Sequence, residues 1–232
     1  QALRNKTVVL CMKGLEMGTG ERLSVIAGEL LHPSCTVAVW LGPGHVQEFY
    51  RGIPNCMVID SENEQVKRRL VQAFSSDLIR FYYGGDMIGN EVGAAAKNVV
   101  GIAAGFLDGV EMSSLKGALM SRGTREVARL IRAMGGNELS AYGLCHLGDY
   151  EATVFSPYSH NRQFGESFIR HQDYHRLAEG YYTVEALMVL SERYQVELPI
   201  CRAVHAILYE NADPREQLTD LLRRGLRAEF DD

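Results

Sequence analysis

The chain has 232 residues, 46% hydrophobic and 23% charged, enough globular material for one large or two modest domains. Its net charge of −5 and its lack of any long Lys/Arg block exclude nucleic acid as a partner. The five scattered cysteines, Cys11, Cys35, Cys56, Cys145 and Cys201, form no CxxC; this fits a reduced, cytoplasmic protein with no metal site.

Residues 7–12, TVVLCM, predict a short buried strand, with Lys13 and Gly14 at its carboxyl end. A helix is expected from Glu21 to Leu31, capped by Thr19. TVAVWL at 36–41 predicts a second strand, followed by the turn Gly42-Pro43-Gly44 and a short helix from Val46 to Arg51. A third strand is expected at 55–60, a charged amphipathic helix from Glu62 to Phe74, and a fourth strand from Leu78 to Tyr83. This alternation is the signature of an α/β sheet with crossovers. After Gly84-Gly85 no strand is evident. Helices are expected at Asp86–Asp108, Glu111–Met134, Asn161–His171, Thr183–Tyr194, Pro199–Tyr209 and Pro214–Leu226, with Thr183 as a cap and Pro199 and Pro214 in first turns. The fold class is therefore α/β plus all-α: a partial Rossmann-like sheet in residues 1–85, then a helical substrate and catalytic domain in residues 86–232.

The stretch Asp86–Asp108 carries one lysine, Lys97, among almost uncharged residues. Ile88, Val92, Ala95, Val99, Ile102 and Phe106 form an apolar stripe, while Asn90, Gly93, Ala94, Lys97, Gly101 and Ala104 share a face of mostly small residues. Its glycines and acidic ends argue for a core helix rather than a membrane span, so no membrane insertion is expected. Each interior glycine costs about 1 kcal/mol relative to alanine. Glycines on the lysine face thus predict that something comes close to that backbone. A lysine buried there is either paired with an acid or kept for proton transfer.

Lys13 is a turn lysine or a cation at the sheet's carboxyl edge, where ligands of open α/β sheets sit. Asp149, after Gly148, is a helix cap or a carboxylate that takes a hydroxyl or a lysine. SPYSHNRQFG at 156–165 begins a helix with polar and basic residues; such starts bind anions through free N–H groups, and Arg162 adds charge. His171 and His175 are four apart but lack a third ligand. Cys145-His146 alone does not define thiol chemistry.

Several motifs in order resemble the NAD(P)-dependent glycerol-3-phosphate dehydrogenases: CMKGLE at 11–16, LGPGHVQE at 41–48, GAAAKNVVGIAAGFLDG at 93–109, GLCHLGDYEAT at 143–153, SPYSHNRQFG at 156–165, AEGYYTVEAL at 178–187 and LPICRAVHAILYENADPRE at 198–216. The resemblance covers essentially the whole chain. It implies hydride transfer between NAD or NADP and the C2 of dihydroxyacetone phosphate or sn-glycerol 3-phosphate. Lys97 falls on the catalytic lysine. Lys13, Gly42, Gly44, Asp149, Ser159, Asn161 and Arg162 fall on the substrate side, and Lys13, Val46, His160 and Glu179 on the cofactor side. The expected partner is a small phosphorylated triose, with a homodimer allowed.

This sequence departs from the family pattern at Gly44, where Ser or Thr is usual, at His160, where arginine is usual, and at His146, where a small residue is usual. No strand, Gly-rich turn and helix of the dinucleotide-binding kind precedes residue 7, and the chain starts at Gln1 without a methionine. The expectation is a missing mononucleotide-binding half on the order of 100 residues, with impaired turnover. The alternative is a non-catalytic module, derived from the enzyme, that binds phosphorylated metabolites or serves in assembly. A 2-hydroxyacid dehydrogenase fits less well, because the S-x-N-R motif suits a phosphate end.

Overall fold

The computed structural model describes residues 3–44 and 46–223. Thr7–Leu10 (β1), Thr36–Leu41 (β2), Asn55–Asp60 (β3) and Ile79–Tyr83 (β4) form one sheet in the order β1-β2-β3-β4. Leu23–Leu30 (α1) links β1 to β2 and Glu64–Phe74 (α3) links β3 to β4, and both strand pairs are parallel. Only the five-residue helix Val46–Tyr50 (α2) stands between β2 and β3, and that pair is antiparallel. A parallel return needs a longer crossover than this connection provides.

Successive strand residues point to opposite faces, and both faces are covered. Val39, Leu41 and Val58 meet Met87 and Ala94 of the long helix Met87–Gly109 (α4), while Ala38, Ile59 and Phe81 meet Val66, Leu70 and Val71 of α3. Asp60, at the end of β3, ties the sheet to α4. Its Oδ2 accepts from the Asp86 amide at 2.9 Å and from Asn90 Nδ2 at 2.8 Å.

Beyond the sheet, the described chain is helical: Lys116–Ala133 (α5), His160–Ile169 (α6), Glu179–Tyr194 (α7), Pro199–Tyr209 (α8) and Pro214–Arg223 (α9). All of Gly89–Leu107 is buried, so α4 is the axis around which the other helices pack. Its apolar stripe is completely buried at Val92, Ala95, Val99, Ile102 and Phe106.

Several expected boundaries shift. Thr19 does not cap α1; Arg22 occupies the cap without a side-chain bond, and Thr19 Oγ1 instead accepts from the Glu21 amide at 3.2 Å within a turn. Thr183 is inside α7, which begins at Glu179, and its hydroxyl donates to the Glu179 carbonyl at 2.9 Å. The helix expected from Glu111 begins at Lys116, after a 3-10 turn at Ser113–Leu115. Pro199 does occupy the first turn of α8. Residues 224–226 of the last expected helix, and Gln1 and Ala2, lie outside the described residues.

Candidate functional site

Lys97 lies midway along α4, where the carboxyl end of β1, the turn after β2 and the segment 143–155 converge. Lys97 Nζ is 3.1 Å from Asp149 Oδ2 and donates to Thr153 Oγ1 at 2.8 Å. Lys13 Nζ donates to the same Asp149 oxygen at 2.6 Å and to the Gly42 carbonyl at 2.9 Å. Two cations, one just after β1 and one on α4, therefore share one carboxylate oxygen, and Asp149 is almost fully buried.

Burial removes solvation from the Lys97 ammonium and lowers its pKa to about 8, with the Lys13 charge acting in the same direction. Asp149, and more weakly Glu179, oppose the shift. The result is an amine able to give or take a proton near neutral pH, next to a second fixed cation.

Local structure positions each group. Lys13 follows β1, and Gly42 follows β2 with φ +125°, a conformation that favours glycine; a Cβ there would lie 3.2 Å from Met57 Cα. Asp149 ends a 3-10 turn at Leu147–Asp149, and Thr153 lies in the π-helical turn Glu151–Phe155. The Thr153 hydroxyl donates to the Asp149 carbonyl at 2.7 Å, so its oxygen is oriented to accept from Lys97.

The start of α6 lies one turn farther along α4, where a Cβ on Gly101 would approach Asn161 Cβ at 3.2 Å. Ser159 caps α6, accepting from the Arg162 amide at 3.3 Å. Asn161 Oδ1 accepts from the Gly180 amide at 2.9 Å, and Asn98 Nδ2 donates to Glu179 Oε2 at 3.0 Å, fixing the start of α7 beside Lys97. His160 is exposed, with Nδ1 2.9 Å from the Tyr174 hydroxyl. Val46 is exposed at the start of α2. Gly44 has φ +156°, and Phe49 fills the space its side chain would need.

The structure joins Lys97, Lys13, Asp149 and Gly42 directly, with Ser159, Asn161 and Glu179 on the adjoining helix starts. Arg162 is turned elsewhere: its guanidinium pairs with Asp108 at 2.8 Å and Glu166 at 2.9 Å, and Asp108 also holds Lys116 at 2.6 Å. The charge expected from Arg162 is thus taken up in an ion cluster. Thr153 and Asn98 were not singled out from the sequence, although the spacing of Asp149 and Thr153 and the adjacency of Asn98 to Lys97 were signals for them.

The small face of α4 is filled mainly by the chain itself. A Cβ on Gly101 would meet Thr153 Cγ2 at 2.7 Å, and one on Gly93 would meet His146 Cβ at 3.0 Å. His146 and Cys145 are buried. Burial pushes the Cys145 thiol up to about 12, so it supplies no thiolate. Among the described residues, no cluster of His, Cys, Asp and Glu could hold a metal, and no helix is long and apolar enough to cross a membrane.

Residues 86–219 match the family model for the C-terminus of NAD-dependent glycerol-3-phosphate dehydrogenase, and residues 1–67 match the model for its N-terminus. A Thermotoga sp. (strain RQ2) protein described as an NAD(P)+ glycerol-3-phosphate dehydrogenase is 35% identical over 94% of this chain and 69% of its own length. The crystal structure of glycerol-3-phosphate dehydrogenase from Coxiella burnetii superposes with a TM-score of 0.86 at 31% identity, covering 94% of this chain and 69% of that one. The yeast enzyme from Saccharomyces cerevisiae shares the fold, with a TM-score of 0.76 at 18% identity over 91% of this chain and 66% of that one. The expectation of a missing cofactor-binding region is not borne out, because the N-terminal family model matches residues 1–67. The impaired enzyme and the non-catalytic module that followed from that expectation are likewise unsupported.

Proposed function

Because this chain belongs to the NAD-dependent glycerol-3-phosphate dehydrogenase family, we propose that it interconverts dihydroxyacetone phosphate and sn-glycerol 3-phosphate with Lys97 as the proton-transfer group. The observation that carries this reading is the buried Lys97 between Asp149 and Thr153, with its pKa lowered to about 8.

A nicotinamide cofactor, NAD or NADP, fits the residues present: Lys13 and the Gly42 turn lie at the carboxyl ends of two parallel strands, the customary ligand edge of such sheets, and exposed Val46 offers an apolar surface beside them. Lys13, Val46, His160 and Glu179 are the residues assigned to hold it. When bound, it supplies or accepts the hydride at C2 of the substrate.

In the reducing direction the C2 oxygen gains negative charge as its carbon gains hydride. Lys97 donates its proton to that oxygen, and Lys13 stabilises the developing charge from the sheet side. Asp149 keeps both ammonium groups aimed at one point, and Thr153 orients Lys97 so that the proton transfer needs little rearrangement. In the oxidising direction neutral Lys97 removes the hydroxyl proton. Ser159, Asn161 and the first amides of α6 are assigned to the phosphate, with His160 beside them. Gly42 and Gly44 shape the opposite wall. Arg162 serves this end indirectly, by pinning α6 to Asp108.

On this reading residues 1–85 form the cofactor side and residues 86–232 the substrate side, with the site between them. The free cysteines support a reducing, cytoplasmic setting. Saturable oxidation of NADH or NADPH by dihydroxyacetone phosphate, followed by absorbance, tests the assignment. Turnover should be lost in Lys97→Ala. Absence of turnover in the natural chain, or normal kcat in Lys97→Ala, overturns it.

A further inference from the structure

Asp149 is flanked by two buried side chains that the chemistry above does not use. His146 and Tyr150 have no exposed surface. His146 Nδ1 lies 2.8 Å from the Gly93 carbonyl oxygen, and Nε2 lies 2.7 Å from the Tyr150 hydroxyl. A carbonyl only accepts, so Nδ1 carries a hydrogen. Burial holds the imidazole down at about 4, so near neutral pH the ring is neutral, with that hydrogen on Nδ1 and Nε2 facing the Tyr150 hydroxyl.

The anchor point is informative. Gly93 stands one turn before Lys97 on α4, and in an α-helix the carbonyl of residue i receives the amide of residue i+4. The carbonyl that binds His146 is therefore the one that receives the Lys97 backbone N–H. Glycine at 93 permits this approach, since a Cβ there would lie only 3.0 Å from His146 Cβ. From His146 the turn runs directly to Asp149, whose amide donates to the His146 carbonyl at 3.0 Å. The Tyr150 ring then packs edge-on against the imidazole at 4.9 Å.

Resting on the assignment of Lys97 as the proton-transfer group, we propose that His146, locked by Tyr150, is a positioning residue that sets the distance between Asp149 and Lys97. The need for such an anchor is visible in the distances. Asp149 Oδ2 is closer to Lys13, at 2.6 Å, than to Lys97, at 3.1 Å. Ion pairing alone would let the carboxylate follow Lys13, which comes from a different part of the fold. The His146–Gly93 bond holds the Asp149 turn to the Lys97 segment of α4 instead. The charged groups that face Lys97 are Asp149, Lys13 and Glu179. Of these, Asp149 attracts the ammonium most strongly, and loosening it would leave Lys97 easier to deprotonate.

The test compares the natural chain with His146→Asn, which keeps a donor near the Nδ1 position but removes the Nε2 partner of the Tyr150 hydroxyl, with Tyr150→Phe, and with the double variant. Lys97→Ala is run alongside. Each single variant should lower kcat by between about 5- and 100-fold, with KM for dihydroxyacetone phosphate changed by less than about twofold. The pH limb governed by Lys97 should move downward by roughly half a unit or more, and the double variant should be no worse than the poorer single one. A role confined to stability would lower the melting temperature without moving the pH limb, and that result overturns the proposal. If Lys97→Ala is inactive while the His146 and Tyr150 variants keep the natural profile, only the positioning role fails. If Lys97→Ala stays active, the proton-transfer assignment itself fails. Nitrogen-15 histidine NMR on the natural chain needs no variant: His146 should remain neutral with the proton on Nδ1 from about pH 5 to 9. A ring protonated on Nε2, or one that titrates in that range, overturns the proposal.

Discussion

Gly105 on α4 and Gly165 on α6 lie backbone against backbone: a Cβ on Gly105 would fall 2.9 Å from Gly165 Cα, and one on Gly165 would fall 3.2 Å from Gly105 Cα. The Arg162 carbonyl crowds Gly105 closer still, and backbone cannot swing aside as a flexible side chain can. The glycines of α4 weaken the isolated helix by about 1 kcal/mol each. In the folded chain they let α6 approach closely enough to bring Ser159 and Asn161 to the site. Gly105→Ala should destabilise the protein by about 2 kcal/mol or more, measured by urea unfolding, and should raise KM for the triose because the start of α6 moves. Gly117 in α5 has open space around its Cβ position, so Gly117→Ala should stabilise by about 0.5 kcal/mol.

The contrast between Gly105 and Gly117 shows what a single sequence discloses. Val39 and Leu41, or Val99 and Phe106, reveal their faces through periodicity, because strand and helix repeats impose it locally. Lys97 was legible because it is the single lysine, on a face of small residues, in a helix whose composition required burial. The neighbours of the small face were not legible. Thr153 and Asn161 reach Gly101 through turns whose direction depends on packing far along the chain. The antiparallel placement of β3 beside β2 was hidden because α2 is too short to reveal, by pattern alone, which way the chain returns. Arg162 looked like phosphate-binding charge because Asp108, its partner, is distant in sequence. Gly44 stood out as a departure from Ser or Thr; its φ of +156° is one that side chains rarely adopt, and a Cβ there would press on the Phe49 ring.

The lowered pKa of Lys97 gives the two reaction directions opposite pH dependences. On the proposed role of Lys97, reduction uses the ammonium form, so its rate should fall as pH rises through about 8; oxidation uses the neutral amine, so its rate should rise over the same interval. Asp149 opposes the lowering. In Asp149→Asn that support is gone while Lys13 remains, so the Lys97 limb should move below 8. The shift is read from kcat against pH in both directions. An upward shift in Asp149→Asn would contradict the assigned electrostatics.

Glu126 offers a test of stability remote from the chemistry. It is buried on α5, and its two carboxyl oxygens accept from the amides of Ile200 at 2.8 Å and Cys201 at 3.0 Å, capping α8. Burial raises its pKa above the ordinary 4.5 despite those bonds. The folded state therefore holds the proton more firmly than the unfolded state. The resulting stability is complete below about 4.5 and is lost as pH rises through the folded-state pKa. Glu126→Gln should flatten that decline in urea-unfolding series across pH. Glu126→Ala, which leaves two buried amides without acceptors, should cost about 2–4 kcal/mol.

His160, assigned to the cofactor side, also borders the residues assigned to the phosphate. It stands at the first position of α6, exposed, beside the Ser159 cap and the Asn161 side chain assigned to the phosphate. An imidazole whose Nδ1 is engaged with Tyr174 has only Nε2 left to offer a phosphate as a donor. An arginine keeps its charge at all working pH values and presents a fork that matches two phosphate oxygens. His160→Arg should therefore lower KM for dihydroxyacetone phosphate about 3- to 10-fold and leave kcat nearly unchanged, because the added contact is made equally in the ground and transition states. The improvement should shrink as salt is added, since the residue is exposed. Steady-state kinetics at low and high ionic strength measure both effects. An unchanged or higher KM would remove His160 from the phosphate end and assign the site's anion recognition to Ser159, Asn161 and the α6 amides alone.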